Sequence, residues 1–210
     1  MRQIFAILFA LTVVGFTASL PAAPYAGSFA VKVLPIVLLF AAAVAARPFR
    51  GKFALCAAIV FSGAGDVILD LSFEGSFIFG LAAFLIAHLW YIGLFGLDIA
   101  WNKLRPLATL PAILYPAGMA VFLWPHLGGL KIPVAVYVAV IATMLVFAIN
   151  RRSAGKSVLF GAIFFLASDS ILAINKFYSP QPWARYAIMA TYYLAQYLIV
   201  SGILREKNSQ

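Results

Sequence analysis

Eight long apolar runs, separated by short polar or proline-bearing breaks, make up nearly the whole chain. They cover residues 4–20, 28–46, 53–72, 76–97, 104–124, 132–150, 157–175 and 183–204. Each approaches the ~20 residues an α-helix needs to cross a bilayer. The pattern predicts an all-α fold, a single polytopic membrane domain over residues 1–210 with eight transmembrane helices. Pro21 and Pro24 close the first run, and Arg47-Pro48-Phe49-Arg50-Gly51-Lys52 separates the second from the third. Ser72 to Ser76 leaves room only for a tight turn, so runs three and four should form an antiparallel hairpin. Pro106, Pro125 and Pro133 fall near span ends, where a missing N–H matters least. Pro35, Pro111 and Pro116 fall inside spans, where they are expected to kink the helix. The first run, with Arg2 before it and Ala18-Ser19-Leu20-Pro21-Ala22-Ala23 after it, also has features of a cleaved signal peptide. Its length favours a retained helix.

Composition agrees with the pattern. Hydrophobic residues are 65% of the chain, charged residues only 10%, and mean hydropathy is +1.03, against ~25% charged in an average soluble domain. The net charge of +9 does not point to nucleic acid, because the basic residues sit in short loops and form no stripe. They alternate instead. Arg2, then Arg47, Arg50 and Lys52, then Lys103 and Arg105, then Arg151, Arg152 and Lys156, then Arg205 and Lys207 share one side. That is eleven of the fifteen basic residues. The positive-inside rule places both termini in the cytoplasm and the turn at Glu74 outside, with membrane lipids as neighbours. The single cysteine, Cys56, excludes an internal disulfide and cysteine-rich metal sites.

Against this background the polar residues inside spans stand out. An acid at the centre of a membrane helix costs ~2.5–3.5 kcal/mol on insertion scales, so it marks a candidate site. Asp66 and Asp70 lie one turn apart on one face of span three, and His88 and Tyr91 share a face of span four. Asp169 lies in span seven. Lys32, Asn175, Tyr192, Tyr193 and Gln196 complete the set. At ~1.5 Å per residue, Asp66 and Asp169 lie about 20 and 18 Å from the cytoplasmic ends of their helices, and Lys32 about 6 Å below the outer surface. All are expected to line one cavity built by spans two, three, four, seven and eight, with spans one, five and six peripheral. Glu74, Asp98 and Glu206 are expected to be solvated in turns or the tail. The bland alternatives are an inter-helix hydrogen bond for an Asp, snorkelling for Lys32 and plain packing for the tyrosines. Offset by 103 residues, Phe61, Ala64, Asp66, Ile68 and Leu69 match Phe164, Ala167, Asp169, Ile171 and Leu172, an echo that predicts a parallel internal repeat. With only two histidines, and His126 at a membrane edge, a three-His zinc site is unavailable. A carboxylate site for a metal, from Asp66, Asp70, Asp169 and His88, stays open. No G-x-S-x-G elbow accompanies Ser168.

Gly65-Asp66-Val67-Ile68-Leu69 with Ala87-His88-Leu89-Trp90-Tyr91 resembles the signature of the YhhN-like integral membrane proteins, the lysoplasmalogenase family. So do Lys32-Val33-Leu34-Pro35, Ser168-Asp169 and Tyr192-Tyr193-Leu194-Ala195-Gln196. The resemblance implies hydrolysis of the vinyl ether bond of a lysophospholipid, giving a fatty aldehyde and a glycerophospho-ethanolamine or -choline. The three intramembrane carboxyls are expected to supply the chemistry without a metal or cofactor, and the expected location is the bacterial inner (cell) membrane. Such a bond is cleaved by protonating its β carbon, which needs one carboxyl as acid and a carboxylate to steady the cation and deprotonate water, as in glycoside hydrolysis. The residues then take expected roles: Asp66 and Asp169 as the acid/base pair, His88 as a catalytic residue orienting water or an Asp, and Lys32 on the phosphate. Asp70, Tyr91, Tyr192, Tyr193 and Gln196 would contribute to substrate binding. A small proton-coupled transporter and a lipid-binding membrane protein are the rival readings.

Overall fold

A computed structural model describes residues 2–208 except Pro24, Ser72, Lys103 and Ala154. Pro24 as an end of the first span, Ser72 in the expected turn and Lys103 among the loop cations therefore lie outside the described residues, as does the side chain of Arg2. Among the described residues eight α-helices follow one another: α1 (Arg2–Ser19), α2 (Ser28–Ala45), α3 (Lys52–Asp70), α4 (Ser76–Gly96), α5 (Pro106–Leu123), α6 (Lys131–Ile149), α7 (Lys156–Phe177) and α8 (Ala184–Asn208). All eight are long and apolar enough to cross a membrane, and the protein is an integral membrane protein. α2 continues through Pro35, and α5 through Pro111 and Pro116.

The helices form because apolar side chains cover nearly their whole circumference, and the backbone can satisfy itself only within the helix. Their ends are set locally. Gly51 and Gly75 start α3 and α4 at φ 95° and 84°, a left-handed conformation that other residues adopt only with strain. Gly75 thereby lets the chain reverse in the few residues between Asp70 and Ser76, giving the expected hairpin.

The closest pairings are α3 with α4 and α7 with α8, and both depend on small residues. A Cβ on Gly65 would lie 2.6 Å from the Phe84 ring, and one on Gly80 2.5 Å from Leu69. In the other pair, a Cβ on Gly161 would lie 2.9 Å from the Ala195 carbonyl oxygen and 2.6 Å from Ile199. Close backbone approach of this kind is how helices associate in lipid. The pairing scheme also recurs. α2 packs on α3 and α4 on α6 in one half, while α6 packs on α7 and α8 on α2 in the other. That recurrence is what a repeat of α2–α4 in α6–α8 would give.

Two expectations need correction. α6 is not peripheral: it packs against α4, α5 and α7 and buries Tyr137, Ile141 and Met144. Asp98 and Glu206 are not simply solvated, because both pair with a buried arginine, Arg151, at 3.3 and 2.5 Å. α1 lies against the bundle through Phe16, edge-on to Tyr193, and Phe9, tilted on Tyr197.

Candidate functional site

The intramembrane polar residues fall into two clusters. The first is held by α2, α3 and α8. Ser28 and Lys32 lie one turn apart on α2 and face Asp66 and Asp70, one turn apart on α3. The Ser28 hydroxyl donates to Asp70, and the Lys32 ammonium lies 3.9 Å from the other Asp70 carboxylate oxygen. Asp66, 1% exposed, accepts a 2.6 Å hydrogen bond from the Tyr192 hydroxyl. Tyr193 donates to the Lys32 backbone carbonyl at 2.7 Å. Lys32 is only 6% exposed, so it does not snorkel. In this conformation its charge is answered by Asp70 rather than presented at the surface.

The second cluster brings α6, α7 and α4 together. The Tyr137 hydroxyl donates to Asp169 at 2.6 Å, and its ring stands edge-on to His88 at 5.4 Å between centroids. His88 also stands edge-on to Phe165 at 4.5 Å. His88 is wholly buried. The Phe84 carbonyl, one turn back, acts on it electrostatically but is not in hydrogen-bonding geometry, so both ring nitrogens lack a well-formed partner among the described residues. A buried donor left in that state costs ~1–3 kcal/mol, a cost that water or substrate reaching His88 would relieve. Nearby, Tyr91 donates to Gln196 Oε1 at 2.6 Å while Gln196 Nε2 has no partner among the described residues.

Asp169 is partly exposed and lines a cavity between α4, α5, α6 and α7. The cavity is narrow, with a volume of about 70 Å³, well below the ~300–1,000 Å³ typical of ligand pockets, so its side chains would have to part to admit a lipid. Apart from Asp169, Tyr137 and Ser170 its walls are apolar: Phe84, Leu166 and Ile141 lie deep, Leu123, Val134 and Phe177 toward the helix ends. The arrangement offers one carboxyl, oriented by a tyrosine, to an otherwise greasy chain.

The expected common cavity is not formed. Lys32, Asp66, His88 and Tyr193 do not line the space that Asp169 lines, and Asp66 and Asp169 share no hydrogen-bonding partner. Aromatic rings separate them. Phe84 lines the cavity and stands edge-on to Tyr192 at 5.7 Å, and Phe165 lies between Tyr192 and His88. Among the described residues, no three acids, histidines or cysteines converge as a metal-ligand set, so Asp66, Asp70, Asp169 and His88 do not assemble the carboxylate site considered from sequence. Asn175 accepts from the Gln181 backbone near the end of α7 and stands apart from both clusters. Sequence reasoning missed Ser28, which donates to Asp70, and Tyr137, which donates to Asp169. The available signal for Tyr137 was that a buried tyrosine hydroxyl normally finds a partner.

Comparison with known proteins gives a consistent picture. The model of the YhhN family matches residues 27–203. The chain is 36% identical over 154 residues to a lysoplasmalogenase of Mycobacterium tuberculosis, covering 70% of this chain and 59% of that protein. It is 38% identical over 154 residues to lysoplasmalogenase TMEM86B of Mus musculus, covering 72% and 63%. It is 34% identical over 215 residues to lysoplasmalogenase TMEM86A of Homo sapiens, covering 95% and 88%. The chain thus spans under two thirds of the mycobacterial and mouse relatives and most of the human one. No solved structure is a significant match.

Proposed function

Because this chain belongs to the YhhN family, we propose that it is a membrane lysophospholipid hydrolase that cleaves the vinyl ether bond of lysoplasmalogens. The observation that carries the proposal is Asp169, held by Tyr137 on the wall of a narrow cavity whose apolar lining matches the chemistry of an alkenyl chain. The names of the relatives support the same chemistry.

Protonated Asp169 gives its proton to the β carbon of the vinyl ether. The π electrons form the new C–H bond, and positive charge develops on the α carbon and ether oxygen. The Asp169 carboxylate so created lies beside that cation and steadies it. As water adds to the α carbon, the carboxylate takes one of its protons. The hemiacetal then collapses: the bond to the glycerol oxygen breaks as Asp169 protonates that oxygen, and the Asp169 carboxylate takes up the hydroxyl proton, which restores the starting acid. Fatty aldehyde and glycerophospho-alcohol depart, and one water has been consumed. Tyr137 keeps one carboxylate oxygen engaged, so the other faces the substrate. His88, beyond the Tyr137 ring, is placed to steady that ring and to hold water.

Asp66 is kept as the second carboxyl of the proposal. The Phe84 ring separates it from the cavity, so Asp66 would take over the deprotonation of water from Asp169 only in a conformation in which that ring has swung aside. Tyr192 orients it, and Lys32 with Asp70 sets the charge around it. In the same role Lys32 would meet the substrate phosphate only once its Asp70 pairing opens. Tyr91, Tyr193 and Gln196 brace the packing around the site. The partition of basic residues supports cytoplasmic termini, and a bacterial inner membrane is the setting we propose.

The test is purified protein in detergent, given 1-alkenyl, 1-alkyl and 1-acyl lysolipids of equal chain length. Aldehyde should appear from the alkenyl lipid alone, since the alkyl ether has no π bond to protonate. No aldehyde from any of them, with tracer uptake into proteoliposomes instead, would favour the transporter.

A further inference from the structure

The loops α4–α5 and α6–α7 are tied together at the arginine-rich end of the bundle. The Ala100 N–H donates to the Asn150 carbonyl at 2.9 Å, the Arg152 N–H to the Asp98 carbonyl at 2.8 Å, and Ile99 and Arg151 form an isolated antiparallel bridge. This fixes Arg105, Arg151 and Arg152 around one pocket that Trp101 and Asn102 complete. Arg151 is 4% exposed and paired to Asp98 and Glu206, yet its Nε, sealed from solvent, has no partner among the described residues. Arg105 and Arg152 are exposed. Among the described residues each guanidinium makes one hydrogen bond, Arg105 to the Ile149 carbonyl at 3.2 Å and Arg152 Nε to the Ile99 carbonyl at 3.0 Å. A guanidinium carries five N–H donors, so most of both forks is left to the pocket. Asp98 and Glu206 offset Arg151, and the two exposed arginines leave the pocket positive.

A second feature adjoins it. Arg105 also lines an apolar groove between α5 and α7, walled by Ala108, Ala112 and Tyr115 on one side and by Leu159 and Ile163 on the other. The cationic pocket and the groove therefore meet at Arg105. Trp101, 65% exposed, sits beside that junction as aromatic residues do at a headgroup boundary. At its inner end the groove reaches Leu166, which also lines the Asp169 cavity.

We propose that this is a binding site for one anionic phospholipid, its phosphate in the forks of Arg105 and Arg152 and one acyl chain in the groove between α5 and α7. Phosphate oxygens match a guanidinium fork in charge and geometry. The groove matches a hydrocarbon chain, and a choline headgroup would set a cation against the same arginines. The bound chain lies against Leu166, on the wall of the candidate site. The site lies at the opposite end of α7 from the outer end of the cavity, and it does not depend on the hydrolase reading.

The test is quenching of Trp101 fluorescence in mixed micelles by brominated phosphatidylglycerol or brominated phosphatidylcholine, with Trp101→Phe as the background. Phosphatidylglycerol should quench at lower mole fraction. Arg105→Gln and Arg152→Gln should each weaken it by about fivefold, the scale for one basic residue at an anionic surface. Ala108→Phe, which fills the groove and leaves the arginines in place, should weaken both lipids. Arg105 also holds a backbone carbonyl; if Arg105→Gln fails to fold, Arg152→Gln and Ala108→Phe decide. Equal quenching by the two lipids, or quenching unchanged in Arg152→Gln, would overturn the site. Displacement of the lipid by inorganic phosphate, with Ala108→Phe without effect, would mean a free-phosphate site and overturn the lipid.

Discussion

Tyr137→Phe removes a single hydroxyl and little else. In the folded protein that hydroxyl donates to Asp169 at 2.6 Å. No other hydrogen bond to the Asp169 carboxyl is formed among the described residues, and the walls around it are apolar. Leaving an acceptor among apolar walls unpaired costs up to ~1–3 kcal/mol. If the bond also holds the carboxyl in line with the substrate, the same free energy appears in turnover as a fall of about 5- to 150-fold. The assay is a double-mutant cycle on aldehyde release, with Tyr137→Phe and Asp169→Asn made singly and together. Tyr137 acts through Asp169, so in the Asp169→Asn background Tyr137→Phe should cost almost nothing further in kcat. A multiplicative loss, the two defects adding independently, would refute the positioning role. Full activity of Tyr137→Phe with lowered thermal stability would reduce the bond to a packing contact.

Gly161→Ala drives a Cβ against the Ala195 carbonyl, which cannot step aside. It should lower stability by ~1–3 kcal/mol, the usual cost of overpacking, whereas Gly93→Ala, which meets nothing within 4 Å, should leave the melting temperature unchanged. Ala173→Phe fills the cavity one turn beyond Asp169 and should raise KM for lysoplasmalogen by about fourfold for each buried methylene displaced, at ~0.8 kcal/mol per CH₂; an unchanged KM would mean that the substrate does not enter there. Glu74→Cys should label from outside intact cells and Arg50→Cys should not. The reverse pattern would invert the topology.

The helical architecture was legible because apolar length is what a bilayer demands. The second run was expected at 28–46 and forms Ser28–Ala45; the fourth was expected at 76–97 and forms Ser76–Gly96. Asp66, Asp70, Asp169 and Lys32 were legible as candidates because charge inside a span is expensive. What sequence could not supply was azimuth. Residue spacing places Asp66 and Asp169 at similar depths, but it does not tell that Phe84 and Phe165 stand between their surroundings. Tyr137 was missed because α6 carries no charge inside the membrane and its tyrosine counts as apolar. Arg151 read as one more loop cation, since its burial depends on Glu206, brought from the far end of the chain by the folding of α8.

The central claim is that Asp169 is the proton donor in an apolar lipid cavity, and the measurement that tests it most directly is turnover by Asp169→Asn. The substitution keeps the size of the side chain and removes its proton transfer. Chelator-treated protein in detergent should bind lysoplasmalogen as the unaltered protein does and release aldehyde ~10²–10⁴-fold more slowly, the scale of general acid–base catalysis. Asp66→Asn, assayed beside it, should also be slowed if the second carboxyl takes part. Aldehyde release by Asp169→Asn at near the unaltered rate would contradict the claim.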